Sequence, residues 1–285
     1  MPFKLLALDV DGTLLRSDGT ISARTRESLS RALSNGVTLA IATGRRKRTA
    51  EPILQQLDLP HYLVASQGAV VWHDDQIVSH AHLPREGARR ALQHIEALNM
   101  SAVMFANAHQ PETIWITGSW QTNQRLEVYT QRHRDLLREL TDDALDHDPI
   151  EIVVFDTMDR LEALSARLTG DAPSHLSAEP PDQNGPLWRV IFSRNQFTAG
   201  GAVEVVGPDT SKASGLQAVC NRIACTRDEV LAFGDNINDV EMLAFAGKGV
   251  CMANGTADAR AAADSEAPSN DEDGIAVVLE ELGLA

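Results

Sequence analysis

Residues 3–10 form a nearly continuous apolar run with one Lys, and the run closes on Asp-Gly-Thr. An unbroken run, rather than an alternating one, predicts a strand buried on both faces, as in a parallel sheet. From Ser22 the pattern changes to helical spacing, with Ser22 as cap, and continues to about Leu33. Asn35-Gly36 closes it, Gly being suited to the left-handed position that ends helices. Residues 37–42 give a second buried strand ending at Thr43-Gly44-Arg45, a helix follows, and residues 62–65 give a third strand. Strand, helix, strand, helix, strand predicts a doubly wound, mostly parallel α/β sheet. Residues 70–72 and 76–79 flank His73-Asp74-Asp75 as a hairpin.

The texture changes after Pro84. A helix is expected over 85–98, strands over 102–105 and 113–116, and a polar helix over about 120–139. Further strands are expected over 151–155, 187–192 and 202–206, with a helix over 161–168 and a loop at 180–186. Strands meeting as hairpins beside helices predict a separate α+β unit. Residues 230–233 return to the buried-strand pattern and end at Gly234-Asp235. The expected organisation is one α/β domain, 1–83 and 208–285, interrupted by an inserted α+β domain, 84–207.

Composition narrows the function classes. With 285 residues, 43% of them hydrophobic, the chain can bury a full core. Its 25 basic against 40 acidic residues leave a formal charge of −15. That mean field repels phosphate, so no nucleic-acid partner and no membrane partner are expected, and a phosphorylated ligand would need a local positive site and a metal cation. Cys220, Cys225 and Cys251 form no CxxC and are expected as small core residues in a reducing compartment. The first apolar run is too short for a signal or a membrane span, and a cytoplasmic location is expected.

Four strand-end or loop motifs carry the chemistry. Asp9-Val10-Asp11-Gly12-Thr13 places two carboxylates where open α/β sheets bind ligands. A calcium loop fails there, since its sixth position holds Leu14 and its twelfth Thr20; a plain turn with two aspartates is the bland reading. Thr43-Gly44-Arg45 reads as a phosphate cradle or as a helix cap. Gly234-Asp235-Asn236-Ile237-Asn238-Asp239 gathers oxygen ligands suited to Mg2+, or forms an Asx-rich turn. Lys212 follows Gly207-Pro208-Asp209-Thr210-Ser211, which lacks the second Gly of a Walker loop.

As an ordered set these motifs resemble the haloacid dehalogenase superfamily, and within it the Cof-type, type IIB sugar-phosphatase branch. Val250 to Gly255, Ala263-Asp264, Asn270 and Glu272-Asp273-Gly274 are similar to that branch's C-terminal pattern. The resemblance implies a Rossmann-like core with an inserted cap, and a Mg2+-dependent phosphatase acting on small phosphorylated metabolites: sugar phosphates, nucleotides or pyridoxal phosphate. It implies Asp9 as nucleophile, forming an aspartyl-phosphate, and Asp11 as general acid and base. Mg2+ would be held by Asp9, Asp235 and the backbone carbonyl of Asp11. Gly12, Thr43, Gly44, Arg45, Lys212 and Asn238 would bind phosphate or substrate, with Asp239 orienting Lys212 or the metal's waters. The alternatives are a phosphomutase resembling phosphomannomutase and a binding protein without catalysis. Oligomeric state, monomer or homodimer, is left open.

Two positions depart from that branch. Ser66-Gln67-Gly68-Ala69 stands where Asn-Gly-Ala is usual after the third strand, and Ser211-Lys212-Ala213 where Ser-Lys-Gly is usual. Ala suits a helix start; what Gln67 does is left open. In the inserted domain, Trp115, Trp120 and Trp188 are expected chiefly as core residues, with stacking on a ligand ring as the alternative. His73, His80 and His82 match no metal-ligand spacing.

Overall fold

A computed structural model describes residues 3–106, 113–118, 120–171, 186–194 and 200–285. In chain order its strands are β1 Leu5–Leu8, β2 Thr38–Ala42, β3 Tyr62–Ala65, β4 Val70–His73, β5 Gln76–His80, β6 Val103–Phe105 and β7 Ile114–Ile116. They continue as β8 Leu137–Glu139, β9 Glu151–Thr157, β10 Arg189–Arg194, β11 Gly200–Val206, β12 Val230–Gly234, β13 Lys248–Met252 and β14 Ser265–Ala267. The chain divides into two compact units, Met1–His80 with Ser211–Ala285, and Ala81–Thr210.

The first unit is built on an eight-stranded sheet in the order β14-β13-β12-β1-β2-β3-β4-β5. From β14 to β3 the neighbours run parallel; β4 and β5 are added antiparallel. Alternation along β1 explains its unbroken apolar sequence. Leu6 and Leu8 enter one core layer with Leu29, Ile53, Leu57 and Ile275. Leu5 and Ala7 enter the opposite layer with Leu216, Val219 and Met242. Helices Ala23–Ser34, Lys47–Leu57 and Gly274–Glu281 supply the first layer, and Lys212–Ile223 and Val240–Phe245 the second. Each fully buried leucine of β1 contributes about 1.5–3 kcal/mol relative to exposure, so this strand is a main anchor of the sheet. Four adjacent parallel strands, β12, β1, β2 and β3, therefore end side by side, where open α/β sheets place their ligands.

The second unit has a six-stranded sheet in the order β10-β11-β9-β6-β7-β8, antiparallel except for the parallel pair β7 and β8. Helices Arg85–Ala97 and Met158–Asp171 pack on one face through Ala88, Ala91, Ile95, Leu161, Leu164 and Leu168. Trp188 lies in this core and Trp115 packs against it, while Trp120 is half-buried.

Sequence and structure differ in one element here. The single polar helix expected over 120–139 is a short turn, Trp120–Thr122, a helix, Gln124–Arg132, and then β8. Leu136 N–H returns to His133 O, which turns the chain so that Leu137–Glu139 pairs with Ile114–Ile116. A three-residue strand reading Leu-Arg-Glu carries no period-two signal, so the pairing partner decides its conformation. The loop expected at 180–186 lies outside the described residues except for Pro186. No helix among the described residues is long and apolar enough to cross a membrane. The three cysteines are free and buried. His73 is exposed and stacks on Tyr62, with ring centroids 4.3 Å apart. His80 is exposed and His82 half-buried.

Candidate active site

Asp9 is the first residue after β1, and its backbone N–H still donates to Phe233 O, which keeps it level with the end of β12. Asp235 follows β12. Gly12 lies in the turn between them at φ +91°, and a Cβ there would collide with the Asp235 carboxylate. The position thus demands glycine on two counts, backbone conformation and space. Thr13 Oγ1 donates to Asp235 Oδ1 at 3.1 Å, fixing that carboxylate from the loop side.

Lys212 is the first residue of the helix Lys212–Ile223, capped by Ser211, whose side chain accepts from Ser214 N–H. The ammonium is buried and donates to Asp9 Oδ1 at 2.5 Å and to Asp239 Oδ1 at 2.6 Å. The other oxygen of Asp239 accepts the backbone N–H groups of Asp235 and Asn236, each at 3.0 Å. Asp239 thus joins Lys212 to the strand-end turn that carries Asp235. Asp9, Asp235 and Asp239 bring carboxylate oxygens within 4.8 Å of one another, all three buried. Among the described residues, this is the group of acidic, His or Cys side chains that could hold a metal ion.

Three carboxylates face one ammonium, so the buried cluster carries an excess of negative charge. Burial, reinforced by Asp239, holds the Asp9 carboxyl well above the ordinary carboxylate range, with Lys212 pulling it back. Burial and Asp239 push Asp235 up to about 7. Burial pulls the Lys212 ammonium down, but Asp239 and Asp9 outweigh it and the net direction is up. A set of oxygen donors with surplus negative charge and little solvent fits a hard divalent cation, which would relieve the repulsion that raises Asp9 and Asp235.

The second strand end supplies the next wall. Thr43 is buried after β2, and its hydroxyl accepts the N–H of Arg45 at 3.0 Å. Arg45 is expected to reach the phosphate or the substrate body. Here it grips Asp11 with two bonds, Nε to Oδ2 at 2.7 Å and Nη2 to Oδ1 at 2.6 Å. Both side chains are partly exposed, at the edge of the buried cluster. Hydrogen bonding to Asp11 raises the guanidinium's pKa further.

Residues that the sequence singled out without a role also meet here. Gln67 is buried, and its Oε1 accepts from Asn238 Nδ2 at 3.1 Å, so the turns that follow β3 and β12 are tied together. Asn254 Nδ2 donates to Gly12 O at 2.8 Å. Asn270 N–H donates to Asn254 Oδ1 at 3.1 Å, and its Nδ2 to Leu15 O at 2.7 Å. Asp273 binds Arg16 at 2.6 Å. The segment after Asp9 is thus held by a set of residues some 250 positions later in the chain. The C-terminal pattern was visible in the sequence, but no local signal connects Asn254 to Gly12.

The site is thus a buried Asp-Lys-Asp cluster at the strand ends of a doubly wound α/β sheet. Residues 6–279 match the model of the haloacid dehalogenase-like hydrolase family, and the chain belongs to that family. It is 30% identical over 281 residues to the 5-amino-6-(5-phospho-D-ribitylamino)uracil phosphatase YitU of Bacillus subtilis, covering 97% of this chain and 96% of that protein. The fold is shared with a haloacid dehalogenase-like hydrolase from Bacteroides thetaiotaomicron at a TM-score of 0.73 and 25% identity, covering 98% of this chain and 99% of the other. It is also shared with the subclass IIB sugar phosphatase BT4131 at a TM-score of 0.75 and 21% identity, covering 99% of this chain and 100% of that one.

Proposed function

We propose that this protein is a Mg2+-dependent phosphatase of small phosphorylated metabolites that works through phosphorylation of Asp9. The observation that carries the reading is the buried group Asp9, Asp235, Asp239 and Lys212. It supplies a carboxylate nucleophile, oxygen ligands for a cation and a fixed positive charge in one place at the strand ends.

Asp9, Asp235 and the Asp11 carbonyl would hold Mg2+, which when bound would supply positive charge to a phosphate that a carboxylate otherwise repels. Asp9 attacks phosphorus; the bond to the leaving oxygen breaks, and an aspartyl-phosphate remains. Lys212 holds the nucleophilic carboxylate in place and shares the phosphoryl charge. Thr43, the backbone near Gly12 and Gly44, and Asn238 hold phosphoryl oxygens. Asp11 gives a proton to the leaving oxygen, then takes one from the water that attacks the phosphoenzyme, so free phosphate leaves and Asp9 is restored. Both oxygens of Asp11 accept from Arg45 in the free site, so in this reading the guanidinium moves from Asp11 to the substrate phosphate before the proton is delivered. Residues 1–83 and 208–285 are the catalytic core in this reading, and 84–207 the cap that selects the leaving group.

The YitU relative makes 5-amino-6-(5-phospho-D-ribitylamino)uracil the first compound to try, beside sugar phosphates, nucleotides and pyridoxal phosphate. The test is release of inorganic phosphate from this panel with Mg2+ and with EDTA. Metal-dependent release is expected; no release from any ester would overturn the reading.

A further inference from the structure

The turn after β3 is a strand-end feature that the proposed mechanism leaves unused. Ser66, Gln67 and Gly68 have φ values of +49°, +57° and +99° in succession. Two consecutive non-glycine residues in the left-handed region are strained, and such strain persists only where the surroundings enforce it. Here they do so from three sides. Ser66 N–H donates to Arg45 O at 3.0 Å, and Gln67 N–H donates to Thr43 O at 3.1 Å. A Cβ on Gly68 would collide with the Ser211 carbonyl, immediately before Lys212. The turn is therefore wedged between the Thr43-Gly44-Arg45 loop and the start of the lysine helix.

This placement aims the Gln67 side chain. Only 2% of the residue is exposed. Its carbonyl end is taken by Asn238 Nδ2 at 3.1 Å, which fixes the amide so that Nε2 faces the other way. Nε2 lies against Gly44: a Cβ built on Gly44 would sit 2.5 Å from it. Gly44 has no need of glycine for its backbone angle, so the glycine there keeps room for this amide. Nε2 makes no hydrogen bond among the described residues. An amide donor left without a protein partner beside a candidate anion cradle is placed to meet an acceptor that arrives with the ligand.

We propose that Gln67 Nε2 is a phosphate-binding donor, held in position by Asn238 and given space by Gly44. The inference rests on the phosphatase reading and adds to it a residue that directly contacts a phosphoryl oxygen. It also gives Asn238 a second part beside its own contact with the phosphate: it orients Gln67.

The probe is inorganic phosphate with Mg2+, titrated calorimetrically into the full chain and used as an inhibitor of p-nitrophenyl phosphate hydrolysis. Gln67→Glu keeps an acceptor for Asn238, removes the donor and adds negative charge. Phosphate affinity is expected to fall about 10- to 100-fold, since a hydrogen bond to a charged group is lost. Gln67→Met removes the donor without adding charge and is expected to weaken phosphate about tenfold, with its Mg2+ affinity close to wild type. A folded Gln67→Glu protein that binds phosphate as the wild type does would overturn the inference while leaving the phosphatase reading intact. A second measurement needs no variant fold: in the wild type, the Gln67 side-chain amide protons should shift downfield in NMR spectra as phosphate is added. Amide protons unmoved at saturation would overturn the inference too. A wild type that neither binds phosphate nor hydrolyses esters would overturn the phosphatase reading, and this inference with it.

Discussion

Replacing Lys212 with Met keeps an unbranched stem of similar volume in a fully buried position and deletes only the ammonium. Asp9 and Asp239 then lose bonds of 2.5 and 2.6 Å at side chains that are 7% and 0% exposed, so water cannot take over their solvation. Removing one partner of such a buried pair costs about 3–5 kcal/mol, far above a surface ion pair. The loss should depend on pH in a definite sense. Asp9 is already held above its ordinary range by burial and Asp239, and without the lysine it rises further. A carboxyl whose folded pKa lies above its unfolded value penalises the folded state when ionised. The destabilisation is therefore largest in alkali and shrinks as pH falls through the raised values. Urea unfolding of wild type and Lys212→Met, free of divalent metal, at pH 8 and pH 6 measures both effects. Adding Asp239→Asn to the variant should recover part of the loss, since one of the stranded charges is gone. A loss under about 1 kcal/mol, or one equal at the two pH values, would refute the reasoning about a buried pair.

Other consequences follow from the same cluster and its surroundings. Because burial and Asp239 hold Asp235 at about 7, protons compete with the metal, and Mg2+ affinity should weaken steadily as pH is lowered from 8 to 6, with proton release on binding seen by calorimetry in buffers of different ionisation heat. Affinity unchanged over that range would show that Asp235 is already ionised without the metal. Gly12→Ala should cost at least about 1–3 kcal/mol, because φ +91° is strained for any L side chain and its Cβ meets Asp235; a chemical denaturation midpoint equal to wild type would contradict this. Burial pushes the Cys220 thiol up to about 12, so iodoacetamide at pH 8 should label it only after denaturant is added, as read by intact mass. Labelling at the rate of a free thiol in the folded protein would contradict that.

The first unit was legible wherever a local pattern coincides with a buried strand end. β1 is an unbroken apolar run because Leu6 and Leu8 face one helical layer and Leu5 and Ala7 the other. Asp9, Thr43 and Asp235 stand out because polar residues abruptly end such runs. What stayed hidden depends on partners distant in sequence. No local signal pairs Arg45 with Asp11, 34 positions away, or Asn254 with Gly12, 242 positions away. Asp239 read as a supporting residue because sequence shows its spacing but not that its two oxygens bridge Lys212 and the Asp235 turn. Gln67 could be noticed only as a departure, since the direction of its amide is set by Asn238, 171 positions on. β8 escaped notice because one apolar residue in three carries no periodicity and its parallel partner β7 decides the outcome.

The central claim is that Asp9 receives the phosphoryl group. Asp11→Asn, mixed with a good ester substrate and Mg2+ and quenched in acid within seconds, tests it directly by peptide mass spectrometry. Slowed water attack should trap one phosphoryl group on the peptide that contains Asp9, and Asp9→Asn/Asp11→Asn should carry none. Phosphate released at the wild-type rate by Asp9→Asn, or a trapped phosphoryl group on any other residue, would contradict the account.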